Sequence, residues 1–245
     1  MLEFLLLWSL LQGDPTRVHP VHLRRVALDA VVDGLYPIPR ELLERAYRKP
    51  ELVAWMLPYP EWEAEYIEYF RRHCRDPRVR FRPTAICMHF TVGSSAEGVY
   101  NSFVNGANMW KGDGLIWGHP SVHLMVDKDG TVYQLLPLDW RCTGAYGVNH
   151  VALSIEMVAL NERDLLSRPA QVFSSFCLVR SLMDRFGIPE SKVYGHSEVG
   201  LGRAVVPDFL DYADKAWPDG YPPNAQRTDP GEIYMRWLRL WLRKS

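Results

Sequence analysis

From Thr84 onward the apolar residues of this chain fall into a period of two, which restricts the segment to a strand with two dissimilar faces. Ala85, Cys87, His89 and Thr91 share one face, and Ile86, Met88, Phe90 and Val92 share the other. An apolar layer therefore backs the strand, and His89 can point into a cleft. Leu153, Ile155 and Met157 repeat the pattern, with Ser154 and Glu156 on the opposite side. Two more alternating runs, 122–128 and 131–136, flank Asp129-Gly130 and predict a hairpin closed by that two-residue turn.

Helical periodicity surrounds these strands. Ser94 with Glu97 three residues later predicts a capping-box start for a helix running toward Trp110. Val172, Phe176, Val179, Met183 and Phe186 define a longer helix from near Ala170, stopped by Gly187. Residues 232–244 carry Ile233, Trp237, Leu240 and Trp241 at the same spacing. Arg236, Arg239, Arg243 and Lys244 on that segment read as the solvated face of a docked helix rather than a membrane-surface one. Residues 1–78 read as helices punctuated by prolines, with apolar positions over 22–32, a start after Pro39 and an aromatic-rich stretch over 61–72. No catalytic pattern appears there. His19 and His22 are separated by Pro20 and have no acidic third ligand nearby, so they read as surface histidines. The apolar opening reads as a buried or docked helix. Glu3 stands where a signal peptide is basic, no small-x-small cleavage site follows, and the run is too short to span a bilayer.

With 245 residues, 47% hydrophobic and 23% charged, the chain has the material for one large domain or a domain with an appendage. Its 28 Lys+Arg against 29 Asp+Glu leave a formal charge of -1, so no global field draws it to nucleic acid or an anionic membrane. Cys74, Cys87, Cys142 and Cys177 show no paired spacing and read as thiols of a reducing, cytoplasmic compartment.

Three separated segments concentrate the chemistry: one ending in His89-Phe-Thr, then Tyr-Gly-His196-Ser-Glu-Val, then Arg227-Thr-Asp229-Pro-Gly. Two histidines and a carboxylate are the ligand types of a catalytic zinc that keeps a fourth position open for water. A lone glutamate, here Glu156, is the usual proton-handling companion. The residues point to a metal-dependent hydrolase. Asp208 is a rival third ligand nearer in sequence to His196, and the Asp-Pro-Gly context favours Asp229.

The order of the motifs resembles a known family. His89 before Phe-Thr, Ser121-Val-His123 followed by Asp129-Gly130-Thr-Val-Tyr-Gln, Asn149 seven residues before Glu156, Gly195-His196-Ser-Glu and Asp229-Pro-Gly follow the sequence seen in zinc N-acetylmuramoyl-L-alanine amidases. That group includes muropeptide-recycling amidases, phage lysins and peptidoglycan recognition proteins. The resemblance spans roughly residues 80–245 and rests on joint order.

It implies an α/β fold: a mixed central β-sheet flanked by helices, of the amidase and peptidoglycan-recognition type, with an N-terminal helical extension. The implied boundaries are an extension over 1–78 and a zinc amidase domain over 79–245, with an insertion at about 200–226 that rims the cleft. The resemblance further implies Zn2+ held by His89, His196 and Asp229, with Glu156 as general base. Arg227 sits where several members carry a lysine, and either cation can stabilise a developing oxyanion, although a planar fork does not replace a point charge neutrally. Two departures stand out: Cys142 occupies the place of a histidine in a Trp-His-Ala-Gly segment, and Val122 that of a tyrosine. His123 is implied close to the cleft but outside the metal shell, packed or hydrogen-bonded to substrate. Trp110, Trp117, Trp140 and Tyr146 can stack on sugars, with packing the simpler reading of each.

The implied reaction is hydrolysis of the amide joining N-acetylmuramic acid to L-alanine in peptidoglycan or muropeptides, without nucleic acid or stable membrane insertion. Two alternatives stay open: a non-catalytic muropeptide-binding module, and a related zinc amidase acting on another acylated peptide. A cytoplasmic recycling enzyme and a phage endolysin awaiting release share this pattern.

Overall fold

The alternating segments form the centre of a six-stranded mixed sheet. Its strands are β1 (Leu52–Ala54), β2 (Ala85–Phe90), β3 (Leu124–Val126), β4 (Val132–Gln134), β5 (Ala152–Met157) and β6 (Val193–Gly195), in the order β1-β4-β3-β5-β2-β6. The structure is a computed structural model that describes residues 36–106, 119–211 and 227–245. Strands β2, β5 and β6 run parallel, with His89 opposite Glu156 and Met88 opposite Gly195. β3 is parallel to β5 and antiparallel to β4, which makes the sheet mixed.

Helices flank the sheet: α1 (Arg40–Leu43), α2 (Glu63–Cys74), α3 (Ala96–Asn105), α4 (Glu162–Leu166), α5 (Pro169–Phe186), α6 (His196–Val199) and α7 (Glu232–Leu242). Gly187 ends α5 in the left-handed conformation, where a Cβ would be strained, as its sequence position predicts. The cap of α3 is Ser95, one residue later than the sequence suggests, with its Oγ accepting from the Gly98 N–H at 3.1 Å. This helix closes at Asn105, short of Trp110. Trp110, Trp117, His19, His22, the opening apolar run, the 22–32 segment and residues 212–226 lie outside the described residues.

On one face of the sheet, Tyr66, Tyr69 and Phe70 of α2 and Val99 and Phe103 of α3 join Met125, Leu135 and Trp140 in one apolar cluster. Ala85, Cys87, Ala152 and Tyr194 form a second, capped by Val206 and Phe209. α5 and α7 pack together through Phe176, Tyr234 and Trp241. They reach the sheet through Gln171, whose amide donates to the Val126 and Val158 carbonyls at 3.0 Å.

Two expectations need correction. The expected domain boundary at 78 is displaced: residues 41–78 belong to the compact unit Glu41–Ser245, where they supply the edge strand β1 and the buried face of α2. The physical reason is burial, because Tyr66 and Phe70 are 0% exposed and so belong to the core. The hairpin also closes with three residues rather than two. Asp127 N–H donates to Thr131 O at 2.8 Å, leaving Lys128, Asp129 and Gly130 in the loop. Gly130 has φ 92°, the positive-φ residue that a three-residue hairpin requires after its turn.

Two of the basic residues in and just after α7 are engaged within the fold. Arg239 pairs with Glu198 at 2.6 Å and Arg243 with Glu190 at 3.0 Å. Among the described residues no helix is long and apolar enough to cross a membrane, and all four cysteines are free.

Phe70→Ala is expected to destabilise the domain by about 3–5 kcal/mol in denaturant titration. A chain beginning at Val79 is expected to lose cooperative unfolding, because it lacks both β1 and α2.

Candidate metal centre and catalytic cleft

The site lies where the parallel strands β2, β5 and β6 end. His89 is the fifth residue of β2, Glu156 the fifth of β5, and His196 follows β6 directly as the first residue of α6. Parallel pairing brings these ends to one edge of the sheet. Asp229 comes from the segment before α7, and its carbonyl accepts from the Ser197 N–H at 2.8 Å, a backbone bond that seats it beside His196.

Glycines make this approach possible. A Cβ on Gly195 would lie 3.1 Å from Met235 and 3.2 Å from Pro230, tighter than ordinary contact. Gly231 has φ 101°, and a Cβ there would fall within 2.1 Å of the Glu162 carboxyl carbon. The glycines beside His196 and Asp229 therefore serve backbone packing.

His89 Nδ1, His196 Nδ1 and Asp229 Oδ2 converge on one point, separated pairwise by 3.0 Å, 3.2 Å and 3.0 Å. Both histidines are buried and the aspartate is half-buried. Two imidazole nitrogens and a carboxylate oxygen converging this closely form a donor set that could hold a cation. Tetrahedral zinc with bonds of about 2.0–2.1 Å places its ligand atoms about 3.3 Å apart, so this donor set fits zinc in chemistry and spacing.

Burial, reinforced by the charge on His89, pushes the His196 imidazole down to about 4, so it stays neutral as a metal ligand must. Burial alone would raise the Asp229 carboxyl, but hydrogen bonds from His196 and His89 hold it well below the usual carboxylate range. Burial pushes Glu156 up to about 7, with Asp229 adding to the rise and His89 opposing it. Glu156 Oε2 is buried without a hydrogen-bond partner among the described residues, an arrangement that leaves it able to take a proton.

The remaining sequence candidates separate clearly. Arg227 is exposed, two residues from Asp229, and its charge adds to the downward push on His196. Asp208 is engaged elsewhere, with Lys192 at 3.1 Å and the Tyr194 hydroxyl at 3.0 Å. His123 is buried, with Nε2 2.6 Å from the Trp140 carbonyl and Nδ1 accepting from the Ser154 N–H at 3.0 Å. Those two contacts to backbone groups hold it in the core as a structural histidine. Trp140 is likewise core, packed edge-on against Tyr59. Asn149 braces its loop by accepting from the Ala145 N–H at 2.6 Å and donating to Tyr69 at 3.2 Å.

Sequence reasoning missed the contact between Glu162 and the start of α7, where Oε1 accepts from the Tyr234 N–H at 2.9 Å. No local pattern signals it, because the partners lie 72 residues apart. Nor does the sequence show that Val92, just beyond His89, takes φ 51°, a strained value for a β-branched residue. Thr91 Oγ1 holds that turn by accepting from the Gly93 N–H at 3.0 Å and the Ala159 N–H at 3.4 Å, tying the ends of β2 and β5 together.

No match is found among curated proteins. Among solved structures, the endolysin N-acetylmuramoyl-L-alanine amidase LysCS from Clostridium intestinale URNW is similar at 24% identity over 63% of this chain and 86% of its own, with a TM-score of 0.44. The Staphylococcus aureus hydrolase AmiA, in complex with its ligand, is similar at 15% identity over 80% of this chain and 86% of its own, with a TM-score of 0.47. The N-acetylmuramoyl-L-alanine amidase family model matches residues 80–231, more than half of the chain and a span that contains His89, Glu156, His196, Arg227 and Asp229. On that match, the chain belongs to the N-acetylmuramoyl-L-alanine amidase family of peptidoglycan hydrolases.

Proposed function

We propose that this amidase is zinc-dependent and cleaves the amide between the lactyl group of N-acetylmuramic acid and L-alanine of the stem peptide. The observation that carries the reading is the convergence of His89, His196 and Asp229 within 3.2 Å, with Glu156 opposite His89 in the sheet register. His89, His196 and Asp229 would hold the ion. When bound, zinc supplies Lewis acidity, which activates water and polarises the scissile carbonyl.

The protein's own residues handle the protons and the charge. Glu156 accepts a proton from the attacking water as the new carbon–oxygen bond forms. It then delivers that proton to the alanine nitrogen as the carbon–nitrogen bond breaks, so the amine leaves neutral. Its rise toward about 7 suits both directions, since a group poised near neutrality can take and return a proton. Arg227 supplies a cation at the exposed margin for the oxyanion that develops on the carbonyl oxygen.

Muropeptides and intact sacculi incubated with zinc-loaded protein are expected to release stem peptide beginning with L-alanine, detected by mass spectrometry and lost on chelation. His89→Ala, His196→Ala and Asp229→Ala should each abolish release. Activity retained in all three would overturn the zinc reading.

Glu156→Gln is expected to lower kcat by about 10²–10⁴-fold while keeping the fold. Between its ordinary value of 4.5 and about 7, the folded metal-free protein holds a proton on Glu156 that the unfolded chain releases. Its contribution to stability therefore falls as pH rises through that window. Metal-free Glu156→Gln should melt higher than wild type above pH of about 7 and alike below about 4.5, measured by thermal denaturation. Equal melting at every pH would contradict burial as the cause of the shift.

A further inference from the structure

We infer that Glu162 is a positioning residue for the metal centre, fixing Asp229 through the start of α7, so that metal affinity depends on it. This rests on the zinc reading above. Asp229 is held on two sides. On one, its carbonyl accepts from the Ser197 N–H at 2.8 Å. On the other, the buried Pro230 leads to Gly231 and directly into α7.

The first turn of α7 has no side-chain cap of its own, because its N-cap residue is Gly231. Exposed helical N–H groups at such an end need an acceptor, and a carboxylate is favoured there by the helix dipole. Glu162 supplies both from another element. Its Oε1 accepts from the Tyr234 N–H at 2.9 Å, and the Ile233 N–H also reaches the carboxylate. The carboxyl group sits against Gly231, in the space that any Cβ would occupy. Glycine at 231 thus lets Glu162 close on the chain two residues beyond the ligand.

Glu162 is itself well anchored. Asn161 caps α4 by accepting from the Asp164 N–H at 2.9 Å, and Leu165 is fully buried. α4 follows β5 closely, so the strand that carries Glu156 continues into the element that clamps Asp229. Without the clamp, the order that Asp229 needs would have to come from metal binding itself, and affinity would drop.

The test is the zinc dissociation constant, read by competition with a chromophoric chelator, together with the visible spectrum of the cobalt-substituted protein, which reports ligand geometry. Glu162→Ala is expected to bind zinc at least about tenfold more weakly with an altered cobalt spectrum. Glu162→Asp, which withdraws the carboxylate by one methylene, should fall between Ala and wild type, and Glu162→Gln, which keeps an acceptor in place, should recover part of the loss. Ser95→Ala, which removes the cap of α3, should lower the melting temperature and leave zinc affinity unchanged, separating general stability from the effect at the site. Wild-type affinity and spectrum in Glu162→Ala would overturn the proposal, whatever its melting temperature, and Glu162→Asp decides by the same criterion if the alanine variant does not fold. A wild-type protein that binds neither metal would overturn the zinc reading, and this proposal with it.

Discussion

The parallel pairing of β2 with β5 is the contact on which the site depends. It places His89 directly opposite Glu156. A slip of β2 by one residue would turn His89 to the face that carries Leu153 and Ile155 and leave Glu156 without it. β6 pairs on the other side of β2 and ends at Gly195, so His196 enters its helical turn already next to His89. The Ser197–Asp229 backbone bond then brings Asp229 to the same point. Strand register is therefore also site geometry.

That arrangement keeps a potential charge without a partner. Glu156 is held beside His89 with one buried carboxylate oxygen unmatched among the described residues, which no stability argument favours. Arg141 is buried too, but its terminal guanidinium nitrogens are met by Asp76 at 2.7 Å and the Arg78 carbonyl at 2.8 Å, and only its Nε lacks a partner among the described residues.

Much of this was legible in the sequence, because alternation is a local property. Ala85–Phe90 and Ala152–Met157 formed where period two placed them, and the side chains of His89 and Glu156 fell on the same face. The helices over 169–186 and 232–242 followed their spacing. What stayed hidden was non-local. β1 is three residues long with an exposed outer pattern, so nothing in Leu-Val-Ala marks it as an edge strand of the same sheet. Aromatic content revealed α2 but not that it lies over Trp140, which moved the domain boundary from 78 to 41. His123 stayed open between packing and substrate contact because its fixing contacts, Trp140 O and Ser154 N, come from elsewhere in the fold. Asp229 was separable from Asp208 only through its motif, and the structure supplies the physical difference in the partners that occupy Asp208.

The separation of His89, His196 and Asp229 along the chain would have a topological consequence if an ion joined them. His89 and His196 are 107 residues apart, and His196 and Asp229 are 33 apart. An ion held among them closes two large rings, as a pair of cross-links would. On a chain-entropy scale, a ring of about a hundred residues is worth on the order of 4–5 kcal/mol against the unfolded state. An occupied centre would in that sense be a knot tying the ends of the sheet to the segment before the last helix, and its occupancy would report that distant parts of the polypeptide have met.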